Sequence, residues 1–188
     1  MPETRDWQHV KSHWSRMLVE RTGDGVDAWI RRIEQAGITD ENALREWLSA
    51  QGVTGYPQSL LVMERFGYPD FLAATAQELI DAQYADRPHL RPVYDAVVQA
   101  AAGVGDLVVQ ARKTYVSLLT PRRTFARVQP TTKSRVDLGL RLDGCEPGGR
   151  LQPSRIHESM KLQISLTSPE DVDAEVLEWL KRAYDQNA

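Results

Sequence analysis

Cysteine is almost missing: Cys145 is the single one in 188 residues. That excludes an intramolecular disulfide and a cysteine-rich zinc site, and makes a reducing, cytoplasmic setting the expectation. Long apolar runs are missing too, and nothing approaches the roughly 20 residues a membrane-spanning helix needs. Residues 1–10 contain Glu3, Asp6 and His9 and lack the apolar stretch of a secretory signal. No phosphate-binding glycine loop, dinucleotide glycine fingerprint, nucleophile elbow or zinc-peptidase helix occurs. The N-terminal half offers no recognition helix flanked by basic residues, as a helix-turn-helix DNA reader would have. These absences leave catalytic residues unassigned and imply no cofactor. Internal repeats and low-complexity segments are likewise absent.

What is present is ordinary for a folded chain: 41% hydrophobic and 26% charged residues supply enough material for a core. The net charge of −3 hides a division. Residues 1–104 hold 10 Lys and Arg against 15 Asp and Glu, residues 105–167 hold 11 against 5, and residues 168–188 hold 2 against 6. A basic middle flanked by acidic segments suits an anionic partner, or acidic and basic segments that face each other within the fold.

Hydrophobic spacing predicts helices through the first half. Trp7, Val10, Trp14, Met17 and Leu18 make one stripe, ending near Gly23. Asp24 is the expected N-cap of the next helix, whose face is Val26, Trp29, Ile30 and Ile33. Thr39 or Asp40 opens a third with Leu44, Trp47 and Leu48, and Pro57 starts a fourth with Leu60, Leu61 and Phe66. Thr75 and Glu78 form a capping-box pattern before Leu79, Ile80 and Tyr84. The connection at residues 85–88 sets the expected domain boundary, giving a helical domain over 1–86 and an α+β domain over 87–188. A helix with Val93, Tyr94, Val97 and Ala101 on one face follows. The period then changes to alternation, which predicts strands at 114–119, 124–128, 135–142 and 160–166. Ser168 to Asp171 caps a final helix bearing Val176, Trp179, Leu180 and Ala183. Helix, antiparallel four-stranded sheet, helix is an α+β domain, one sheet face covered by both helices. Residues 143–154 read as a flexible connection.

Two sets of motifs resemble known families. Arg21-Thr-Gly23, Ala28-Trp-Ile30, Glu46-Trp-Leu48 and Gln51-Gly52 resemble the N-terminal domain-of-unknown-function family 4287. Lys113-Thr-Tyr-Val-Ser117, Phe125-Ala126, Asp137-Leu-Gly-Leu140, Trp179-Leu180 and Ala183-Tyr184 resemble domain-of-unknown-function family 5655. The two occur together in small bacterial proteins, so the resemblance implies this domain layout and no activity. Val53 to Pro57 stands where the first family has a turn rich in Gly and His, so no histidine role carries over.

Placing the apolar residues of each strand against the helices leaves a basic, partly aromatic opposite face. Lys113, Tyr115 and Ser117 would come from the first strand and Phe125 and Arg127 from the second. Arg135, Asp137, Gly139 and Arg141 would come from the third, and Lys161, Gln163 and Ser165 from the fourth. Cations neutralise phosphate or carboxylate, and rings stack on planar groups. Lys113, Tyr115, Phe125, Arg127, Arg135, Arg141 and Lys161 are therefore the candidate ligand-binding residues of a non-catalytic module. Its partner would be an anionic ligand, a nucleic acid or a protein. The face could equally pack on the helical half or on a second copy of the chain, which leaves a homo-oligomer open. An enzyme using Lys113 and Tyr115 as an acid-base pair in a cleft between the halves is the alternative. His9 and His13, with Asp6 and Glu20, lie along one helix flank and read as a solvated polar face rather than a metal site.

Overall fold

The computed structural model describes residues 3–5, 7–69, 72 and 74–188. The chain divides into two compact units, Asp6–Thr75 and Met1–Arg5 with Ala76–Ala188. The helical unit is thus inserted behind a short first strand, and the boundary expected at 86/87 falls inside the second unit.

The helical unit contains α1 (Trp7–Thr22), α2 (Val26–Gln35), α3 (Glu41–Ala50) and α4 (Tyr56–Phe66). Helix α1 stops where Gly23 takes φ +79°, a conformation that side-chain-bearing residues avoid. Asp24 does not cap α2; Gly25 holds that position without a side-chain bond, and Asp24 instead pairs with Arg32 at 2.7 Å. Asp40 does cap α3, accepting from the Ala43 amide at 2.9 Å and so satisfying one of the amides that a helix start leaves unpaired. Leu18, Trp29, Ile33, Leu44, Leu48 and Leu61 pack into one buried cluster. The Trp29 indole donates to Thr22 Oγ1 at 3.1 Å, which lets a ring with a polar edge sit inside.

The second unit runs β1 (Glu3–Arg5), α5 (Ala76–Tyr84), a 3-10 turn (Pro88–Leu90), α6 (Arg91–Ala102), β2 (Val108–Ala111), β3 (Val116–Leu119), β4 (Thr124–Gln129), β5 (Val136–Leu140), β6 (Gln152–His157), β7 (Met160–Leu166) and α7 (Ala174–Asn187). This is the expected α+β architecture, with a larger sheet. Seven strands lie in the order β1-β2-β3-β4-β5-β7-β6, and the four expected ones, β3, β4, β5 and β7, are contiguous within it. The other three carry weak local signals. Strand β1 has three residues and pairs parallel to β2, a contact made only across the whole helical insertion. Strand β6 is an edge strand of mostly exposed residues, so it shows no apolar alternation.

Register explains the core. Val116 pairs with Val128, Val128 with Leu138, and Leu138 with Ile164, and all four side chains are fully buried. Ala126, Leu140 and Leu162 form the next row on the same side. Helix α7 lies against β4 and β5, and α6 lies against α7, bringing Val93, Val97, Val176, Leu180 and Ala183 to that side. Each of these Val and Leu side chains contributes roughly 1.5–3 kcal/mol when fully buried. Asp173 caps α7 through the Val176 amide, while the Ser168–Asp171 capping box closes the 3-10 turn (Pro169–Asp171) just before it.

Phe125 departs from the expected alternation. The β3–β4 register shifts between Leu118 and Leu119, whose partners are Ala126 and Thr124. Phe125 is therefore the extra residue of a β-bulge, and a bulge re-aims a side chain. Its ring is fully buried and meets Tyr184 of α7 edge-on at 5.4 Å. The segment 143–154 also differs from a flexible connection. Gly148 and Leu151 exchange backbone hydrogen bonds of 2.9 and 3.0 Å, and Arg150 pairs with Asp173 at 2.7 Å while donating to the Asp171 carbonyl. Here the basic middle and the acidic tail do face each other.

Among the described residues, no helix is long and apolar enough to cross a membrane. Phe125→Ala is expected to cost about 3–5 kcal/mol of stability in chemical denaturation; a loss below about 1 kcal/mol would contradict a core role, since an exposed site costs no more.

Candidate functional site

The parity that buries Val128, Leu138 and Ile164 sends their neighbours to the other side of the sheet. Two cross-strand rows result. Ser117, Arg127, Gly139 and Gln163 form one, and Gln129, Asp137 and Ser165 form the next. Over the second row and Gln163 of the first lies a groove of about 450 Å³. Its floor includes Gln129, Asp137, Gln163 and Ser165, with Arg135 and Thr131 at one end. Pro153, Arg155 and Ile156 of β6 make its wall.

Asp137 is the one carboxylate among the described residues that line the groove, and it is 1% exposed. A buried carboxylate is tolerated when paired and hydrogen-bonded. Ser165 Oγ donates to Oδ1 at 2.6 Å, and Arg135 Nε lies 3.2 Å from the same oxygen. Because Asp137 holds the Nε edge, the two terminal nitrogens of Arg135 are left for another bidentate acceptor. Arg155 is exposed, and its guanidinium makes no hydrogen bond or ion pair among the described residues. Its backbone N–H donates to Gln163 Oε1 at 3.1 Å, which ties β6 to the groove floor.

Arg127 sits one row from Asp137, its guanidinium carbon 3.2 Å from the centre of the Tyr115 ring. Its Nε is buried without a hydrogen-bond partner. Burial pulls its pKa below the usual arginine value, with Tyr115 alone opposing that shift. No carboxylate pairs with it among the described residues.

The remaining candidates disperse. Lys113 is exposed in the turn between β2 and β3, closed by the Arg112 amide on the Tyr115 carbonyl at 2.9 Å. It precedes the strand expected at 114–119, and the Tyr115 ring next along the chain is covered by Arg127. Phe125 is on the helix side. Arg141 follows β5, where Asn187 binds its carbonyl at 2.9 Å and its Nε is buried without a partner. Lys161 pairs with Asp143 at 2.7 Å, both largely exposed. Gly139 does leave room, but for the chain itself: a Cβ there would lie 3.1 Å from Met160 Cβ and 3.2 Å from Ile156 Cδ1. Thus the β6–β7 hairpin occupies the space above it. Arg155 and Gln129 escaped sequence reasoning because β6 has no alternation and β4 runs one residue past the expected end.

Residues 80–187 match the family described as domain of unknown function (DUF5655). The chain belongs to the DUF5655 family. No match is found among curated proteins or among solved structures. The DUF5655 region begins within α5, ends with α7 and contains every residue of the groove. Residues 1–79, including those that resemble family 4287, lie outside it.

A second polar cluster lies in the helical unit of this DUF5655 chain. Lys11 Nζ is 2.7 Å from Glu64 Oε1, and the Tyr68 hydroxyl donates to the same oxygen at 2.5 Å. Burial pushes Tyr68 up to about 12, Glu64 adding to the shift. The bond to Glu64 raises Lys11. Burial pushes Glu64 upward, yet the bonds from Lys11 and Tyr68 hold it below the usual carboxylate value. Asp6 lies outside the described residues, and among those described no three His, Cys, Asp or Glu side chains gather to hold a metal ion.

This cluster makes stability depend on pH in both directions. Glu64 contributes above its ordinary value of 4.5 and loses the contribution as pH falls through its depressed folded pKa. Tyr68 contributes below 10.0 and loses it as pH rises toward about 12; Lys11 acts in the same alkaline sense. The 295 nm absorbance difference between wild type and Tyr68→Phe is expected to titrate near 12. A midpoint near 10 would contradict this geometry.

Proposed function

We propose that this protein is a binding module whose sheet groove takes a small oxyanion, a carboxylate or a phosphate. The observation that carries the reading is an imbalance of charge. Arg135 and Arg155 line the groove and Arg127 lies one row away on the same side of the sheet, while Asp137 is already engaged by Arg135 and Ser165. Arg127, outside the groove lining, adds positive charge to the same side of the sheet. The volume supports a small molecule rather than an extended strand, since ligand clefts fall at roughly 300–1,000 Å³. Binding is favoured over catalysis because the described residues lining the groove include no histidine, cysteine, lysine or tyrosine to act as proton shuttle or nucleophile. We place the protein in the cytoplasm, where the single thiol of Cys145 suits a reducing setting. The helical unit is our candidate for a family 4287 domain, on the motifs between Arg21 and Gly52.

Calorimetric titration with inorganic phosphate and with succinate tests the reading. Arg135→Ala and Arg155→Ala are each expected to weaken the anion that binds by about tenfold or more, the range of one or two charge-assisted hydrogen bonds. Lys161→Ala, whose ammonium is paired outside the groove, is expected to change affinity by less than about twofold. Absence of binding by both anions, or indifference to both arginine variants, would overturn the proposal.

A further inference from the structure

Hydrogen-bond direction at the groove narrows the ligand class. Ser165 directs its proton to Asp137 at 2.6 Å, and Thr131 directs its own to the Gln129 carbonyl at 3.4 Å. Ser165 therefore presents lone pairs and acts toward a ligand as an acceptor, and the long Thr131 contact leaves that hydroxyl able to accept as well. Gln129 adds a third acceptor in need of a donor, since its Oε1 is buried without one. Gln163 has the reverse polarity: its Oε1 is taken by the Arg155 amide, so its Nε2 remains to donate. With the guanidiniums of Arg135 and Arg155 it supplies the donor set.

The acceptors Gln129 and Ser165 flank Asp137 across the strands, the Arg135 guanidinium reaches that same row, and Gln163 lies one row further along. A ligand filling the groove needs an acceptor-rich anionic group for the guanidiniums and, beside it, groups that donate hydrogen bonds. An ammonium could donate, but it would sit beside two guanidiniums whose one nearby carboxylate is already paired, and like charges disfavour it. Neutral hydroxyls meet both requirements.

We infer that the groove takes a hydroxylated oxyanion: a sugar or polyol bearing a phosphate or a carboxylate. This inference rests on the anion-binding reading above. Matched pairs of ligands separate the two by calorimetry on the full chain. Glycerol 3-phosphate is set against n-propyl phosphate, and gluconate against hexanoate. The hydroxylated member of one pair is expected to bind at least about tenfold more tightly, and the pair that responds distinguishes phosphate from carboxylate. Thr131→Val, at an exposed position that leaves the core untouched, is expected to reduce the ratio of affinities within that pair. Ser165→Ala, checked for an unchanged circular dichroism spectrum, is expected to do the same. Equal affinity within both pairs would overturn this inference and leave the anion site standing. No binding by any of the four would overturn both.

Discussion

The groove depends on one packing constraint, the burial of a single face of the central strands beneath α7. Val116, Val128, Leu138 and Ile164 sit opposite one another across four strands, and none is accessible to water. A slip of one residue would turn that whole set outward. Fixing this row therefore fixes its complement: Arg127, Gln129, Asp137, Gln163 and Ser165 have no other side on which to lie. The polar site is the consequence of an apolar one, and needs no separate device to align its strands.

Within that frame, Asp137 organises the electrostatics. A carboxylate placed mid-strand on a nearly closed surface must be compensated, and Arg135 and Ser165 do so from the same and the neighbouring strand. The arrangement leaves Arg135 held at one edge and available at the other, while Ser165 has its proton committed inward. Arg127 has no such compensation. The contrast between a neutralised pair and an uncompensated cation one row away gives the surface its direction, which net charge over the segment could not convey.

The β6–β7 hairpin converts a sheet surface into a concavity. Gly139 permits this, since the absent side chain is the volume that Ile156 and Met160 occupy. A glycine in a strand signals a close approach, and here the approaching group is the chain's own hairpin. Its seating brings Arg155 to the wall of the groove. The same bulge that removes Phe125 from the polar side adds an aromatic ring to the α7 contact, so one irregularity exchanges a candidate binding residue for core.

The architecture was legible in residue order wherever the signal is local. Helical spacing found α1 to α7, the start of α3 was narrowed to Thr39 or Asp40 before an apolar repeat, and alternation found β3, β4, β5 and β7. Arg127 and Arg135 were reached the same way. Local patterns do not contain pairing between distant segments. Strand β1, the polar edge strand β6, the unit boundary at Thr75, the bulge at Phe125 and the presence of Arg155 in the groove all arise from contacts that have no period in sequence. Alternation of side chains is a property of each strand's backbone and could be read directly; which strand lies beside which, and what folds over Gly139, was decided only when the whole sheet closed around its buried row.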